Sequence, residues 1–246
     1  MRRPVSLPVS LAVIVALTLC AGTCARAQVA PAQTTQSQGA GNGAYISVDP
    51  LASVRYDNRF DISLGAAYDH MKAGPTLLQG SNLGGLDLEG SYWFSKHWAV
   101  EGSGRYYLGT SGTAPNTANT NGGPIKGPFV SEVFAVGGAE WLGPHNKHGA
   151  ILAHAMFGGA KGNFEQDLLG KPPYLVDFYS DQFAPAAIVG GHFDLNRSAR
   201  WVFRVTPDAV MTHYYSIASA NAPKVAQFDV NFAISVGVEY KFKKKR

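Results

Sequence analysis

The last strand-like segment of the chain constrains the fold most. From Gln227 to Phe242 the sequence reads QFDVNFAISVGVEYKF, with apolar residues at every even position and mostly polar or small residues between them. Because side chains alternate across a strand, one face of this segment is apolar and the other is polar. Strands of soluble domains are commonly about 5–6 residues long, whereas a tilted strand needs about 9–11 residues to cross a bilayer. The length of Gln227–Phe242 therefore favours a membrane-spanning β-barrel.

The N-terminus has the features of a secretory signal peptide. Two arginines follow Met1, a short apolar run covers Leu11–Leu19, and Ala25–Ala27 provides a small-x-small cleavage pattern. We expect residues 1–27 to be removed. Cleavage would take both cysteines, leaving no thiol for a disulfide or a metal. It would also remove three of 21 basic residues, leaving 18 against 17 acidic ones, which argues against a nucleic-acid partner.

Composition divides the remaining chain into three parts. Residues 28–58 are predicted to be a flexible periplasmic leader, because 28–44 are polar and lack periodicity. Residues 45–58 are either an extended lead-in or a partial plug. Residues 59–242 are predicted to form the barrel, and residues 243–246 are a basic tail.

Eight segments of alternating polarity lie between residues 59 and 242. Short turns and long loops alternate strictly between them, as in an up-and-down antiparallel barrel with turns on one rim and loops on the other. The fourth segment has apolar residues on both faces, so we expect a β-bulge there. Recruiting 45–57 and 173–180 as strands would give ten, and this alternative stays open. The predicted strands cover about 59–70, 83–94, 98–108, 129–141, 150–161, 185–195, 200–211 and 227–242.

Tryptophan placement favours a membrane barrel over a soluble one. Trp93, Trp98, Trp141 and Trp201 all lie beside short turns. Indole rings favour the headgroup zone, where an apolar body and a polar N–H are both accommodated. We predict that the four form a girdle at the turn-side interface.

Charges within the strands fall on the polar face. A charge facing lipid near mid-bilayer costs about 2–4 kcal/mol, whereas a narrow lumen can pair opposite charges. We therefore predict an interior charge network made of Glu89, Glu101, Arg105, Arg204 and Glu239.

The C-terminal residues resemble the assembly signal of bacterial outer-membrane barrels. The match covers Ser235, Gly237, Tyr240 and Phe242, although the basic tail follows the aromatic residue that usually ends such chains. From about residue 59 to 242 the chain is similar to OmpA/OmpX-type small barrels of the outer-membrane β-barrel superfamily. The resemblance implies an outer-membrane location, outer-membrane lipids as surroundings, and the barrel-assembly machinery as a partner during biogenesis.

Histidines raise the question of enzymatic chemistry, because some barrels of this size modify lipid A. His154, His192 and His213 could act as bases near Ser103, Ser216 or Ser219. His154 and His192 are predicted to point inward, however, and His192 is interpreted as a satisfied interior residue. His145 and His148 flank a turn that is more simply a solvated loop than a metal site. We therefore predict no catalytic, cofactor-binding or metal-binding residues.

These patterns predict a structural or surface-interaction role with a lumen filled by side chains. An eight-stranded barrel is just wide enough for that filling. A small-solute channel is the alternative if ten strands form, and a lipid-A-modifying enzyme is a further one. The long loops are candidates for contact with an external ligand. The apolar loop 162–184 is expected to fold over the barrel mouth while residues 173–180 extend the strands.

Overall fold

The structure is a computed structural model that describes residues 49–75, 77, 80–111, 127–168, 170–217 and 223–242. The predicted signal peptide, the leader up to residue 48 and the basic tail lie outside these residues. Described residues 49–58 lie against the turn-side end of the barrel, as detailed below.

Eight antiparallel strands close into an up-and-down barrel, in which each strand pairs with its neighbours in sequence and β1 pairs with β8. The prediction of eight strands is confirmed, and the ten-strand alternative is wrong because Pro173–Leu175 is a 3₁₀ turn and residues 49–57 form no strand. In the described chain, no helix has the length and apolar character needed to span a membrane. The strands are β1 Phe60–Met71, β2 Ser81–Trp93, β3 Trp98–Thr110, β4 Phe129–His145, β5 Gly149–Asn163, β6 Gln182–Asn196, β7 Trp201–Ile217 and β8 Lys224–Phe242.

The outer surface of the barrel is apolar and its interior carries the charges. Leu64, Leu88 and Val238 are cross-strand neighbours that remain 58, 50 and 46 % exposed. Between them along the same strands, Ser63, Glu89 and Glu239 are buried. This arrangement is the reverse of a soluble barrel, in which the apolar side chains fill the interior.

β4 has no bulge in its central part, although its sequence has apolar residues on both faces. The pairing with β5 is continuous from Ser131 to Leu142, and the register shifts only between Leu142 and His145. Phe134 and Val136 therefore point inward, where they join the apolar part of the lumen. The prediction of a bulge within residues 129–141 is wrong, because the irregularity lies between Leu142 and His145, next to the following turn.

The loop between β5 and β6 folds into the loop-side mouth of the barrel. Phe164, Phe178 and Tyr179 are buried, and the Tyr179 backbone N–H donates to the Ala73 carbonyl at 2.9 Å. Folding over the mouth was predicted, but the strand extension at residues 173–180 was wrong. The apolar side chains of this loop are buried because they pack against inward-facing side chains of the strands. We call residues 164–168 and 170–181 of this loop, in which Phe164, Leu168, Val176, Phe178 and Tyr179 are buried, the plug.

β7 and β8 continue beyond the barrel on the loop side. The β1–β8 pairing covers Phe232–Phe242 of β8, whereas the β7–β8 pairing reaches Lys224. Residues 224–231 of β8 and their pairing partners in β7 therefore form a two-stranded projection that extends past the end of β1.

Candidate functional site

The turn-side half of the lumen is a layer of buried ionisable side chains, which we call the charged layer. Each member occupies an inward position of a strand, so the alternation of the sheet directs all of them to the barrel axis. Its members are Asp87, Glu89, Glu101, Arg105, Glu140, His154, His192, Asp194, Arg204, Asp208 and Glu239.

Arg204 on β7 is one centre of this layer. Its guanidinium binds Asp194 in a bidentate pair, with Nε–Oδ1 at 2.8 Å and Nη2–Oδ2 at 3.0 Å. Nη2 also donates to Glu239 Oε2 at 3.0 Å, and Nη1 lies 3.6 Å from Glu89 Oε2. The planar donors of arginine suit such multiple carboxylate contacts. Arg204 therefore joins β6, β8 and β2 across the lumen.

Arg105 on β3 is a second centre. It contacts Asp87 at 3.3 Å and Glu89 at 3.1 Å on β2, and Asp208 at 2.6 Å on β7. β3 and β7 are not neighbours in the barrel. The Arg105–Asp208 pair therefore spans the lumen.

His154 on β5 and His192 on β6 meet beside these pairs. His154 Nδ1 lies 3.0 Å from His192 Nε2, and the two rings are nearly perpendicular with centroids 4.5 Å apart. Glu101 approaches both nitrogens, with Oε2 at 3.1 Å from His154 Nδ1 and Oε1 at 3.3 Å from His192 Nε2. All three side chains are excluded from solvent.

The five residues of the predicted network all lie in the charged layer. Glu89 links the two arginines, Arg204 binds Glu239, and Glu101 faces the histidine pair. The predicted network does not include Glu140 and Asp194, which lie in the same layer beside Arg204. Both residues alternate with outward apolar residues along their strands, so the sequence pattern could have identified them. His192 points inward as predicted, and its Nδ1 lies 2.8 Å from Thr206 Oγ1.

Residues 49–58 close the turn-side end of the lumen. The Tyr56 hydroxyl donates to the Asn146 carbonyl at 3.0 Å and accepts from Asn196 Nδ2 at 2.8 Å. The Lys241 ammonium lies 4.4 Å from the Tyr56 ring centroid. Burial raises the pKa of the Tyr56 phenol.

The predicted tryptophan girdle contains three members rather than four. Trp98, Trp141 and Trp201 point outward and are 48, 42 and 53 % exposed. Trp93 instead points into the turn-side end of the lumen, where its indole N–H donates to Asp61 Oδ2 at 2.6 Å. The reason is parity, because Trp93 shares the inward face of β2 with Glu89 and Ser91.

The predicted assembly-signal residues divide between the two faces of β8. Ser235 and Gly237 face inward, whereas Tyr240 and Phe242 lie on the outward face. Gly237 pairs with Gly65 across the β1–β8 closure, and a Cβ on Gly237 would lie 2.3 Å from the Leu64 carbonyl oxygen. The close strand approach therefore requires glycine here. Recognition by the assembly machinery stays a prediction.

The loop-side half of the lumen is apolar and is filled by the plug. Phe164, Tyr179 and Tyr214 form a ring cluster with centroid separations of 5.2–5.7 Å. The Tyr214 hydroxyl donates to Glu132 Oε1 at 2.7 Å, and the Tyr179 hydroxyl donates to Asp229. Burial and the neighbouring Asp229 carboxylate raise the pKa of Tyr179. The long loops 112–126 and 218–222 lie outside the described residues.

Known proteins resemble the chain in fold only. No protein-family model matches it, and no curated protein matches it. The attachment invasion locus protein Ail of Yersinia pestis, solved with the heparin analogue sucrose octasulfate, is 18 % identical, with 74 % of this chain and 97 % of Ail covered and a TM-score of 0.39. Neisserial surface protein A is 14 % identical, with 74 % and 97 % covered and a TM-score of 0.42. Outer membrane protein W of E. coli is 15 % identical, with 75 % and 98 % covered and a TM-score of 0.35. The function proposed below rests on this chain's own residues.

Proposed function

We propose that this chain is an outer-membrane β-barrel with a closed lumen and a structural or surface-interaction role. The observation that carries the proposal is the inside-out distribution of side chains. Apolar residues such as Leu64 and Leu88 are exposed on the outer wall, while Glu89 and Arg105 are buried inside. An apolar wall of this size is stable against hydrocarbon and unfavourable against water. Outer-membrane lipids are therefore its proposed surroundings, and the N-terminal leader would lie in the periplasm.

Contacts across the lumen support a closed interior. Arg105 reaches Asp208 from β3 to β7, Arg204 reaches Glu89 from β7 to β2, and Tyr214 reaches Glu132 from β7 to β4. These pairs join strands that are not neighbours in the barrel. A solute would have to break buried ion pairs and displace the plug, so a channel role is the less favoured alternative.

The loop-side rim supports a role at the cell surface. The plug fixes one long connection over the mouth, and the β7–β8 projection presents Val225 and Phe228 as exposed apolar side chains. Exposed apolar groups above a membrane band are a common feature of contact surfaces. An external ligand at the long loops is therefore the proposed partner, and its identity is open.

We propose no enzymatic activity. His154 and His192 lie in the charged layer, and the Ser103 hydroxyl donates to Asp87 at 3.1 Å in the same layer. In the described part of the chain, neither of these two histidines faces outward, whereas His213 lies on the outward face of β7 towards the loop side. A lipid-A-modifying role is tested by mass spectrometry of lipid A from cells with and without the protein, where a mass change would contradict this proposal.

Planar-bilayer recordings test the closed lumen. Wild-type protein should give no steady openings, because the charged layer and the plug occupy the interior. Phe164→Ala removes a fully buried plug side chain, whereas Phe183→Ala, at an exposed position, is the matched control. We expect only intermittent openings from Phe164→Ala, since the charged layer remains in place. Reproducible wild-type openings would contradict the proposal.

Membrane location is tested separately on detergent-extracted protein. Gel mobility before and after boiling should differ, because the folded barrel resists unfolding in detergent. Fractionation of cells should place the protein with the outer membrane. A chain that folds and stays soluble in buffer without detergent would refute the membrane assignment whatever its conductance.

A further inference from the structure

The histidine pair in the charged layer presents lone pairs to a common point. Asp208 Oδ1 lies 2.8 Å from His154 Nε2 and accepts the proton of that nitrogen. His192 Nδ1 lies 2.8 Å from Thr206 Oγ1, a hydroxyl oxygen that can accept its proton. In these tautomers, His154 Nδ1 and His192 Nε2 carry lone pairs and face one another at 3.0 Å. Two lone pairs held this close can share one cation, which is either a proton or a metal ion.

Two carboxylates complete the convergence. Glu101 lies against both imidazole nitrogens, and Glu140 Oε1 lies 3.7 Å from His192 Nε2. Both carboxylates are buried, and none of their four oxygens has a hydrogen-bond partner within the described chain. The arrangement therefore contains two imidazole nitrogens and the Glu101 carboxylate around one point, with the Glu140 carboxylate beside His192.

The separations fit the coordination shell of a small divalent ion. Zinc binds nitrogen at about 2.0–2.1 Å and carboxylate oxygen at about 2.0–2.2 Å in tetrahedral sites, which places neighbouring ligand atoms about 3.3–3.6 Å apart. Here the two imidazole nitrogens lie 3.0 Å apart and 3.1 and 3.3 Å from the two Glu101 oxygens, slightly closer than in a loaded site, and Glu140 Oε1 lies 3.7 Å from His192 Nε2. One ligand atom each from Glu101, His154 and His192 lies within 4.8 Å of the others.

The outer partners are those that orient metal-binding histidines. Such histidines usually donate their second ring N–H to a carboxylate or another acceptor, which fixes the tautomer and the ring. Asp208 and Thr206 take this position for His154 and His192. Asp208 is held in turn by Arg105.

The charge of the layer also favours a bound cation. In the described chain, its seven carboxylates face three permanent cations, the guanidiniums of Arg105 and Arg204 and, at the turn-side end near Asp194 and Glu239, the Lys241 ammonium. Buried carboxylates need compensation by a cation or a proton. Neither arginine lies within 3.5 Å of the Glu140 carboxylate. A divalent ion at the histidine pair would supply two positive charges close to that carboxylate.

We propose that Glu101, Glu140, His154 and His192 bind one divalent transition-metal ion inside the barrel. Imidazole nitrogens favour zinc and its neighbours over calcium or magnesium, which prefer all-oxygen shells. The four ligands come from β3, β4, β5 and β6, so the ion would join four consecutive strands. No short sequence motif reveals this set, because each strand contributes one ligand.

Metal content and a spectroscopic probe test the proposal directly. Mature protein is refolded in detergent micelles with and without Zn²⁺, passed through chelator and desalted, and its zinc is quantified per folded chain. We expect one retained zinc ion per chain. Co²⁺ in place of Zn²⁺ should give ligand-field absorption of a low-symmetry nitrogen–oxygen site. Wild-type protein that folds with Zn²⁺ but retains none, and shows no Co²⁺ absorption, overturns the proposal.

A pair of threonine variants separates the metal site from general stability. Thr206→Val removes the hydrogen bond to His192, and outer partners of this kind commonly change metal affinity by about 10–100-fold. Thr212→Val is the matched control, because Thr212 is equally buried on the same face of β7 and contacts neither histidine. Equal Zn²⁺ affinity in the two folded variants would contradict the assignment.

Histidine variants then locate the ion. His192→Gln should lower affinity by more than the change expected from Thr206→Val, and the Co²⁺ spectrum should change with it. A His145→Gln/His148→Gln double variant should retain the ion, since both residues lie at a turn outside the lumen. Loss of zinc in the double variant with retention in folded His192→Gln would assign binding to the turn and overturn the proposal.

Discussion

Replacing Arg204 with methionine should destabilise the barrel strongly. Methionine keeps much of the side-chain length but removes the bidentate pair with Asp194 and the contacts with Glu239 and Glu89. Three buried carboxylates would then lose their shared cation. Removing one partner of a buried ion pair commonly costs about 3–5 kcal/mol, because the remaining charge is left uncompensated.

Urea unfolding in detergent micelles or lipid vesicles measures this loss. With a denaturant slope of about 2 kcal/mol per molar, a loss of 3–5 kcal/mol lowers the unfolding midpoint by about 1.5–2.5 M. The penalty should shrink as pH falls, because the uncompensated carboxylates can take up protons. Arg200→Met is the matched control, since Arg200 is exposed and its contact with Tyr240 at 3.1 Å should contribute less than about 1 kcal/mol.

A second variant tests whether the loss comes from unpaired charge. Adding Glu239→Gln to Arg204→Met should recover part of the midpoint, because one uncompensated carboxylate is removed. If Arg204→Met unfolds at the same midpoint as Arg200→Met, the charged layer contributes no measurable stability and the reasoning is wrong.

Three further measurements address the barrel wall, its closure and the tryptophan correction. Leu64→Arg should lower the free energy of unfolding in lipid vesicles by about 2–4 kcal/mol, whereas Phe228→Arg, in the loop-side projection, should lower it by about 0–1 kcal/mol. Equal losses would contradict the proposed membrane band. Gly237→Ala should cost about 1–3 kcal/mol because its Cβ meets backbone atoms, whereas Gly104→Ala, with open space around the new Cβ, should not destabilise the barrel. Brominated lipids should quench the three outward tryptophans but leave Trp93 emission nearly unchanged, as measured in single-tryptophan variants; strong quenching of Trp93 would return it to the girdle.

The sequence predicted the barrel well because alternation is a local signal. Eight amphipathic segments and their alternating short and long connections fix the strand count, and the inward positions of Glu89 and Arg204 follow from the same alternation. Parity alone places Trp93 inward, whereas its position beside a short turn suggests the outward girdle. No residue of the 3₁₀ turn Pro173–Leu175 is buried, so a pattern of apolar residues does not predict its conformation.

Contacts across the lumen are harder to predict, because they depend on barrel shear and on side-chain reach. The His154–His192 pair joins residues 38 positions apart, and Arg105–Asp208 joins opposite sides of the interior. Strand register must be known before such partners can be identified. The candidate metal site therefore emerges from the structure, although the inward positions of Glu101, His154 and His192 follow from alternation alone.

The charged layer also has a consequence for how the barrel closes. A slip of one residue between β8 and its neighbours would turn Glu239 and Lys241 towards lipid and Val238 towards the lumen. A charged side chain facing the membrane interior costs about 2–4 kcal/mol there, and Arg204 would lose Glu239 as a partner. Arg204 and Arg105 join β2, β3, β6, β7 and β8. They thus specify the strand register on the side of the barrel that contains the β1–β8 closure. The proposed metal ligands lie on β3 to β6, so an ion bound there would fix the register of the opposite half.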